Sequence, residues 1–154
     1  LGELSMGQKK KAFMCFALAT NTSLLMMDEP SNGLDIPSKS QFRKVIASGM
    51  TENKSVIIST HQVRDIDSLL DHVIIIDGSK VLLDESVATI CDKLSFVEQS
   101  MNEPTDDVLY MQPSVHGHSV ILPNVCGDES KLNLEVLFNA MLTERERMQA
   151  VFNK

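Results

Sequence analysis

The sequence predicts an α/β fold built on a mainly parallel sheet with flanking helices, followed by a small C-terminal α+β appendage. Three observations predict it. Leu24-Leu25-Met26-Met27 and Val56-Ile57-Ile58 are short apolar runs, each closed by polar or charged residues and separated by a helical pattern. Such runs read as central parallel strands covered on both faces. Asp77-Gly78 then stands between Val73–Ile76 and Lys80–Leu83 as a hairpin signal. Finally, the character of the chain shifts near Ser95, which divides it into 1–94 and an accessory 95–154.

The elements follow in order. Ser5-Met6-Gly7-Gln8 has the spacing of a capping box, so a helix is expected from about Gln8 to Thr20. Ala12, Phe13, Phe16, Ala17 and Ala19 would form its buried face, with Lys9 to Lys11 solvated. A small, glycine-containing helix start is either an ordinary cap or an anion site, because its free N–H groups face outward. The strand over residues 24–27 comes next, then a loop from Pro30 to Pro37 and a helix over roughly 38–50 with Phe42, Val45, Ile46 and Ala47 inward. A second strand, Ser55–Ser59, ends in Ser59-Thr60-His61-Gln62. A helix over 63–70, a hairpin over 73–83 and a short helix over 87–94 complete one edge of an α/β sheet.

Beyond the polar break at Asn102–Asp107, strands are expected at Val108–Met111 and Ser119–Leu122, joined by a loop from Pro113 to His118. Asn133 would cap a last helix, 134–152, with Leu132 and Leu137 as a hydrophobic staple. Its apolar stripe is Leu134, Leu137, Phe138, Met141, Leu142 and Met148, and Glu144-Arg145-Glu146-Arg147 is a solvated face. His116, His118 and Cys126 lack the paired spacing and fourth ligand of a zinc site.

Composition narrows the function. Of 154 residues, 43% are hydrophobic and 23% charged, as in a soluble globular protein. The formal charge of -7 disfavours a nucleic-acid backbone binder, despite the basic run Lys9-Lys10-Lys11. No run approaches the ~20 apolar residues that span a bilayer. The start at Leu1 reads as an excised piece of a longer protein, which would leave the first helix and strand with uncovered apolar faces. Cys15, Cys91 and Cys126 are odd in number and far apart, which suggests reduced thiols, with Cys15 and Cys91 in apolar, packing contexts.

Chemistry is expected at Asp28-Glu29, because ligands of open parallel sheets sit at the carboxyl ends of the strands. Adjacent carboxylates repel unless a cation or proton intervenes, which points to a divalent metal beside a proton acceptor. His61, at the end of the second strand, falls at the same edge.

The order of Leu4-Ser5-Met6-Gly7-Gln8, Leu24 to Pro30, Ser31-Asn32-Gly33-Leu34-Asp35 and Ser59-Thr60-His61 resembles the second half of the ATP-binding cassette of ABC transporters. These stretches correspond to that family's signature motif, Walker B strand, D-loop and H-loop, and the resemblance covers residues 1 to about 94. It implies the C-terminal part of a P-loop NTPase-type domain that binds and hydrolyses ATP with Mg²⁺. Asp28 would hold Mg²⁺ through its water shell, and Glu29 would be the general base. His61 would contact the γ-phosphate and link it to the catalytic carboxylate across the dimer. Asp35 would belong to the loop by which two cassettes sense each other. Ser5, Gly7 and the helix start at Gln8 would grip the γ-phosphate of ATP bound to the opposite cassette. The implied partners are a second nucleotide-binding subunit and a transmembrane permease, and the implied location is the inner face of the cell membrane.

Two positions depart from the family. Met6 stands where the signature usually has glycine, and the chain has no phosphate loop of the G-x-x-x-x-G-K-[ST] kind. Gly2 and Gly7 share its glycine spacing, but Gln8-Lys9 replaces Lys-Ser/Thr and no strand precedes them. The fragment is therefore expected to be inactive alone. The alternatives are a soluble ABC ATPase of repair or translation, and a non-hydrolysing module that keeps the cassette's dimer surface.

Overall fold

The computed structural model describes residues 4–100, 107–115 and 117–153, except the side chains of Met6 and Asp65. Gly2, the Met6 side chain, Asn102–Asp106 and His116 lie outside this description. The chain forms two compact units, Leu1–Leu69 and Leu70–Lys154. The sequence division at residue 94 follows the end of the resemblance instead.

The first unit contains α1 (Met6–Ala19), β1 (Leu24–Asp28), α2 (Ile36–Gly49) and β2 (Ser55–Ser59). The capping box forms as its spacing predicts: the Gln8 N–H donates to Ser5 Oγ at 3.3 Å, and the Ser5 N–H donates to Gln8 Oε1 at 2.9 Å. The buried face of α1 does not follow the expectation. Phe13 and Phe16 are 61% and 70% exposed and Ala19 is exposed, whereas Gly7, Lys11, Met14 and Leu18 make a half-buried helical stripe. Lys9 to Lys11 are half-buried rather than solvated, their aliphatic stems covering surface while the Lys10 ammonium reaches the Asn32 carbonyl. Cys15 is exposed, not packed.

β1 and β2 pair in parallel, Leu24 opposite Ser55 through Asp28 opposite Ser59. They form a two-stranded sheet, and only the face of Leu25, Met27, Val56 and Ile58 is half-buried. Leu24, Met26 and Ile57 stand 51%, 68% and 47% exposed, so the expectation of coverage on both faces is corrected: this face is largely open among the described residues. α2 starts two residues earlier than expected because Asp35 caps it, accepting from the Ser38 N–H at 3.0 Å, with Pro37 in its first turn. Ser38, Phe42 and Ile46 are its buried positions, while Val45 and Ala47 face outward. The helix expected over 63–70 is two 3-10 turns, Val63–Asp65 and Asp67–Leu69. Its β-branched, Asp and Ser residues disfavour an α-helix there.

The second unit opens with a hairpin of β3 (His72–Asp77) and β4 (Lys80–Ser86), turning through Gly78 and Ser79, both at positive φ. α3 (Val87–Lys93) runs without a loop into β5 (Leu94–Gln99), a strand the sequence reading missed. β6 (Tyr110–Ser114) and β7 (Gly117–Pro123) occupy much of the expected Pro113–His118 loop and pair antiparallel in the order β5-β7-β6. Pro113 is tolerated because β6 is an edge strand. Gly117 cannot be replaced, since a Cβ there would lie 2.0 Å from the Gln99 carbonyl oxygen.

The expected last helix breaks at Glu144 into α4 (Leu134–Thr143) and α5 (Arg145–Phe152). Asn133 caps α4 by accepting from the Val136 N–H at 3.2 Å. Leu134, Leu137, Met141 and Met148 are buried with Ile90, Leu94, Val120 and Ile121, while Phe138 and Leu142 stay partly exposed. The Lys93 ammonium donates to the Val151 and Phe152 carbonyls and lies 5.3 Å from the Phe152 ring centre, closing the C-terminal end of α5. Among the described residues, no helix is long and apolar enough to cross a membrane.

Asp35→Ala should cost about 1 kcal/mol in denaturant unfolding, and Asp35→Asn much less, because the side-chain acceptor is what α2 requires. Equal stability of the alanine variant would show that the cap does not form.

Candidate functional site

The parallel register brings the ends of β1 and β2 side by side, so residues 28–29 face residues 59–61. Each carboxylate has its own donors. Asp28 Oδ1 accepts a short hydrogen bond from the Ser59 hydroxyl. Glu29 Oε2 accepts from the Thr60 hydroxyl at 2.9 Å, and Oε1 accepts from the His61 backbone N–H at 2.9 Å and meets His61 Nδ1 at 2.5 Å. An ionised carboxylate has no proton to give, so Nδ1 carries it, and Nε2 remains for another partner. The two adjacent carboxylates thus have separate partners, a hydroxyl for Asp28 and a hydroxyl, a backbone N–H and an imidazole for Glu29.

Glu29 sits at φ 45, the left-handed region that side chains other than glycine rarely occupy. This turn redirects the chain after β1, and the Glu29 N–H still donates to the Ser59 carbonyl at 2.9 Å. Desolvation pushes the Glu29 carboxyl up, but the hydrogen bonds from His61 and Thr60 outweigh it and hold the group below its ordinary 4.5. Asp35 is likewise held down, by hydrogen bonds from the Ser38 side chain and N–H, with Lys11 adding charge attraction against desolvation.

Of the residues singled out by sequence, Asp28, Glu29 and His61 come together at one edge. Asp35 lies at the start of α2, and Ser5 and Gln8 are engaged in their capping box. No hydrogen bond among the described residues joins those last three to the carboxylates. A Cβ built on Gly7 would meet nothing within 4 Å, so packing inside this chain does not require glycine there. The hydroxyls of Ser59 and Thr60 were not foreseen as partners, although a parallel register that sets Ser59 opposite Asp28 would have suggested them. Ser31, which opens the stretch read as the D-loop, is fully buried and its hydroxyl has no partner among the described residues. His118 is half-buried in β7 and Cys126 exposed, and no cluster of three metal-ligating side chains occurs among the described residues.

No family model matches the chain. An ABC transporter ATP-binding protein of Methanocaldococcus jannaschii, itself uncharacterized, is 32% identical over 96 residues, 62% of this chain and 37% of that one. An energy-coupling factor transporter ATP-binding protein of Mycoplasmoides gallisepticum is 38% identical over 80 residues, 52% of this chain and 25% of that one. Over roughly half of its length the chain is thus similar to ABC transporter ATP-binding proteins. Over more of the chain the likeness thins: the Nod factor export ATP-binding protein I of Neorhizobium galegae matches 94% of the chain at 22% identity, covering 44% of its own length. A solved structure described as a cobalt transport ATP-binding protein shares the ABC ATPase fold at TM-score 0.51 and 17% identity, over 90% of this chain and 51% of that one. The chain thus spans between a quarter and a half of the length of these relatives.

The lowered Glu29 pKa has a definite sign. The stability contributed by its hydrogen bonds is fully present above the ordinary carboxylate value and is lost as pH falls through the lowered one. In a carboxyl ¹³C NMR titration, His61→Ala should move Glu29 upward from its parent value. An unchanged titration would mean the contact is not made in solution.

Proposed function

We propose that this chain is the catalytic-carboxylate half of an ATP-hydrolysing subunit of an ABC transporter, working as a dimer of cassettes that drives a transmembrane permease from the inner face of the cell membrane. The observation that carries the reading is the Glu29–His61 pair, its carboxylate held at the paired ends of two parallel strands. Glu29 is the general base: it orients the attacking water and takes its proton. His61, with Nε2 free of Glu29, is the group that contacts the γ-phosphate. Nothing in the sequence supplies the lysine and amide cradle of a phosphate loop, so the cis seat of the nucleotide must come from other residues.

The Asp28 end suits Mg²⁺ by its donor chemistry. It offers an exposed carboxylate oriented by a hydroxyl, all oxygen, with no sulfur or imidazole bound to it among the described residues. Mg²⁺ would supply charge neutralisation on the β- and γ-phosphate oxygens, with Asp28 holding it through water and Ser59 fixing the carboxylate from behind. The capped start of α1, with Ser5, Gly7 and Gln8, is read as the surface that meets ATP on the opposite cassette, supported by the open space at Gly7. Asp35, at the start of α2, belongs to the loop facing that partner. Residues 1–94 form the cassette part and 95–154 an accessory α+β region that regulates or supports dimer contacts. Transport in the names of relatives supports the permease partnership.

The test is one ATPase assay with three arms. The intact gene product should turn over, Glu29→Gln in it should lose about 10²–10³ of the rate and accumulate as an ATP-bound dimer on gel filtration, and the 154-residue chain alone should show negligible Mg²⁺-dependent turnover. Full activity of the glutamine variant would overturn the base, and robust turnover by the isolated chain would overturn the missing seat.

A further inference from the structure

Among the described residues, the Glu29 carboxylate receives three donors, unequally divided. An ionised carboxylate offers about four acceptor positions, two on each oxygen. Both positions on Oε1 are taken by His61, through its backbone N–H and its Nδ1. On Oε2 one position is taken by the Thr60 hydroxyl at 2.9 Å, which leaves a single acceptor position on the whole group.

The direction of the Thr60 hydroxyl is itself fixed. The Gln62 backbone N–H donates to Thr60 Oγ1 at 2.9 Å, which leaves the hydroxyl proton to point at Oε2. Gln62 is held in turn, because the Lys39 ammonium of α2 donates to its Oε1 at 3.1 Å. A carboxylate held at one oxygen only could still rotate about its last torsion, which is broad for glutamate. Holding the second oxygen removes that freedom.

We propose that Thr60 is a positioning residue for hydrolysis: its hydroxyl fills one side of Oε2 so that the remaining position on that oxygen is the one the attacking water uses. The inference rests on Glu29 acting as the base. In the step it serves, the water proton passes to Oε2 while the water oxygen bonds to the γ-phosphorus and the bond to the bridging oxygen of ADP breaks. Thr60 touches neither water nor nucleotide and acts through Glu29 alone.

The test is a double-mutant cycle in the intact gene product, read by single-turnover and steady-state ATP hydrolysis. Thr60→Val, which keeps the shape and removes the donor, should lower kcat roughly tenfold with KM for ATP changed by less than about twofold. Thr60→Ser should restore most of kcat. In the Glu29→Gln background, Thr60→Val should cost nothing further, because the group it positions is already gone. A normal kcat in Thr60→Val, a rise in KM that accounts for the loss, no recovery with serine, or a loss that multiplies with Glu29→Gln would each overturn the proposal. Glu29→Gln retaining turnover would overturn the base assignment and this role with it, whereas an inactive Glu29→Gln beside a fully active Thr60→Val overturns the positioning role alone.

Discussion

The in-register parallel pairing of β1 with β2 is the constraint on which the candidate site depends. Side chains alternate along each strand, so a slip of one residue would turn the end of one strand over relative to the other. In the observed register Asp28 lies opposite Ser59, and the next residues, Glu29 and Thr60-His61, leave the sheet together. Two negative groups adjacent in sequence then meet two hydroxyls and an imidazole adjacent in sequence. The local chemistry is complementary only in this register.

Around that pairing, the first unit commits its side chains to holding loops rather than to a deep core. Asp35 caps α2, Lys10 holds the Asn32 carbonyl, Lys39 holds Gln62, and Gln62 directs Thr60. The same unit exposes Phe13, Phe16, Leu24, Met26 and Ile57. The second unit is the opposite. Fully buried Ile90, Leu94, Ile121, Leu137, Met141 and Met148 give it a conventional interior. Apolar burial of that kind carries most of a domain's stability, so the second unit has more to resist unfolding with.

Much of the site was legible before any coordinates, because it is written in local order. An apolar run ending in Asp28-Glu29-Pro30 and another ending in Ser59-Thr60-His61 identify strand ends, and Ser5-x-x-Gln8 identifies a helix start. What was illegible depended on tertiary choice. Phe13 and Phe16 look like core residues, yet α1 turns its Gly7-Lys11-Met14-Leu18 stripe inward. β5 follows Lys93 with no turn residue to announce it, and Glu144 breaks the last helix where the pattern alone runs on. The cap formed by Asp35 was hidden by its other reading as a loop residue, although Pro37 beside it is a helix-start signal.

The account stands most directly on the contact between His61 Nδ1 and Glu29 Oε1. Long-range ¹H–¹⁵N correlation spectra of the His61 ring at neutral pH read the proton on Nδ1 without reference to activity. The account predicts a protonated Nδ1 whose signal moves when Glu29 is replaced by alanine. A ring protonated on Nε2 alone, with shifts indifferent to that replacement, would contradict it.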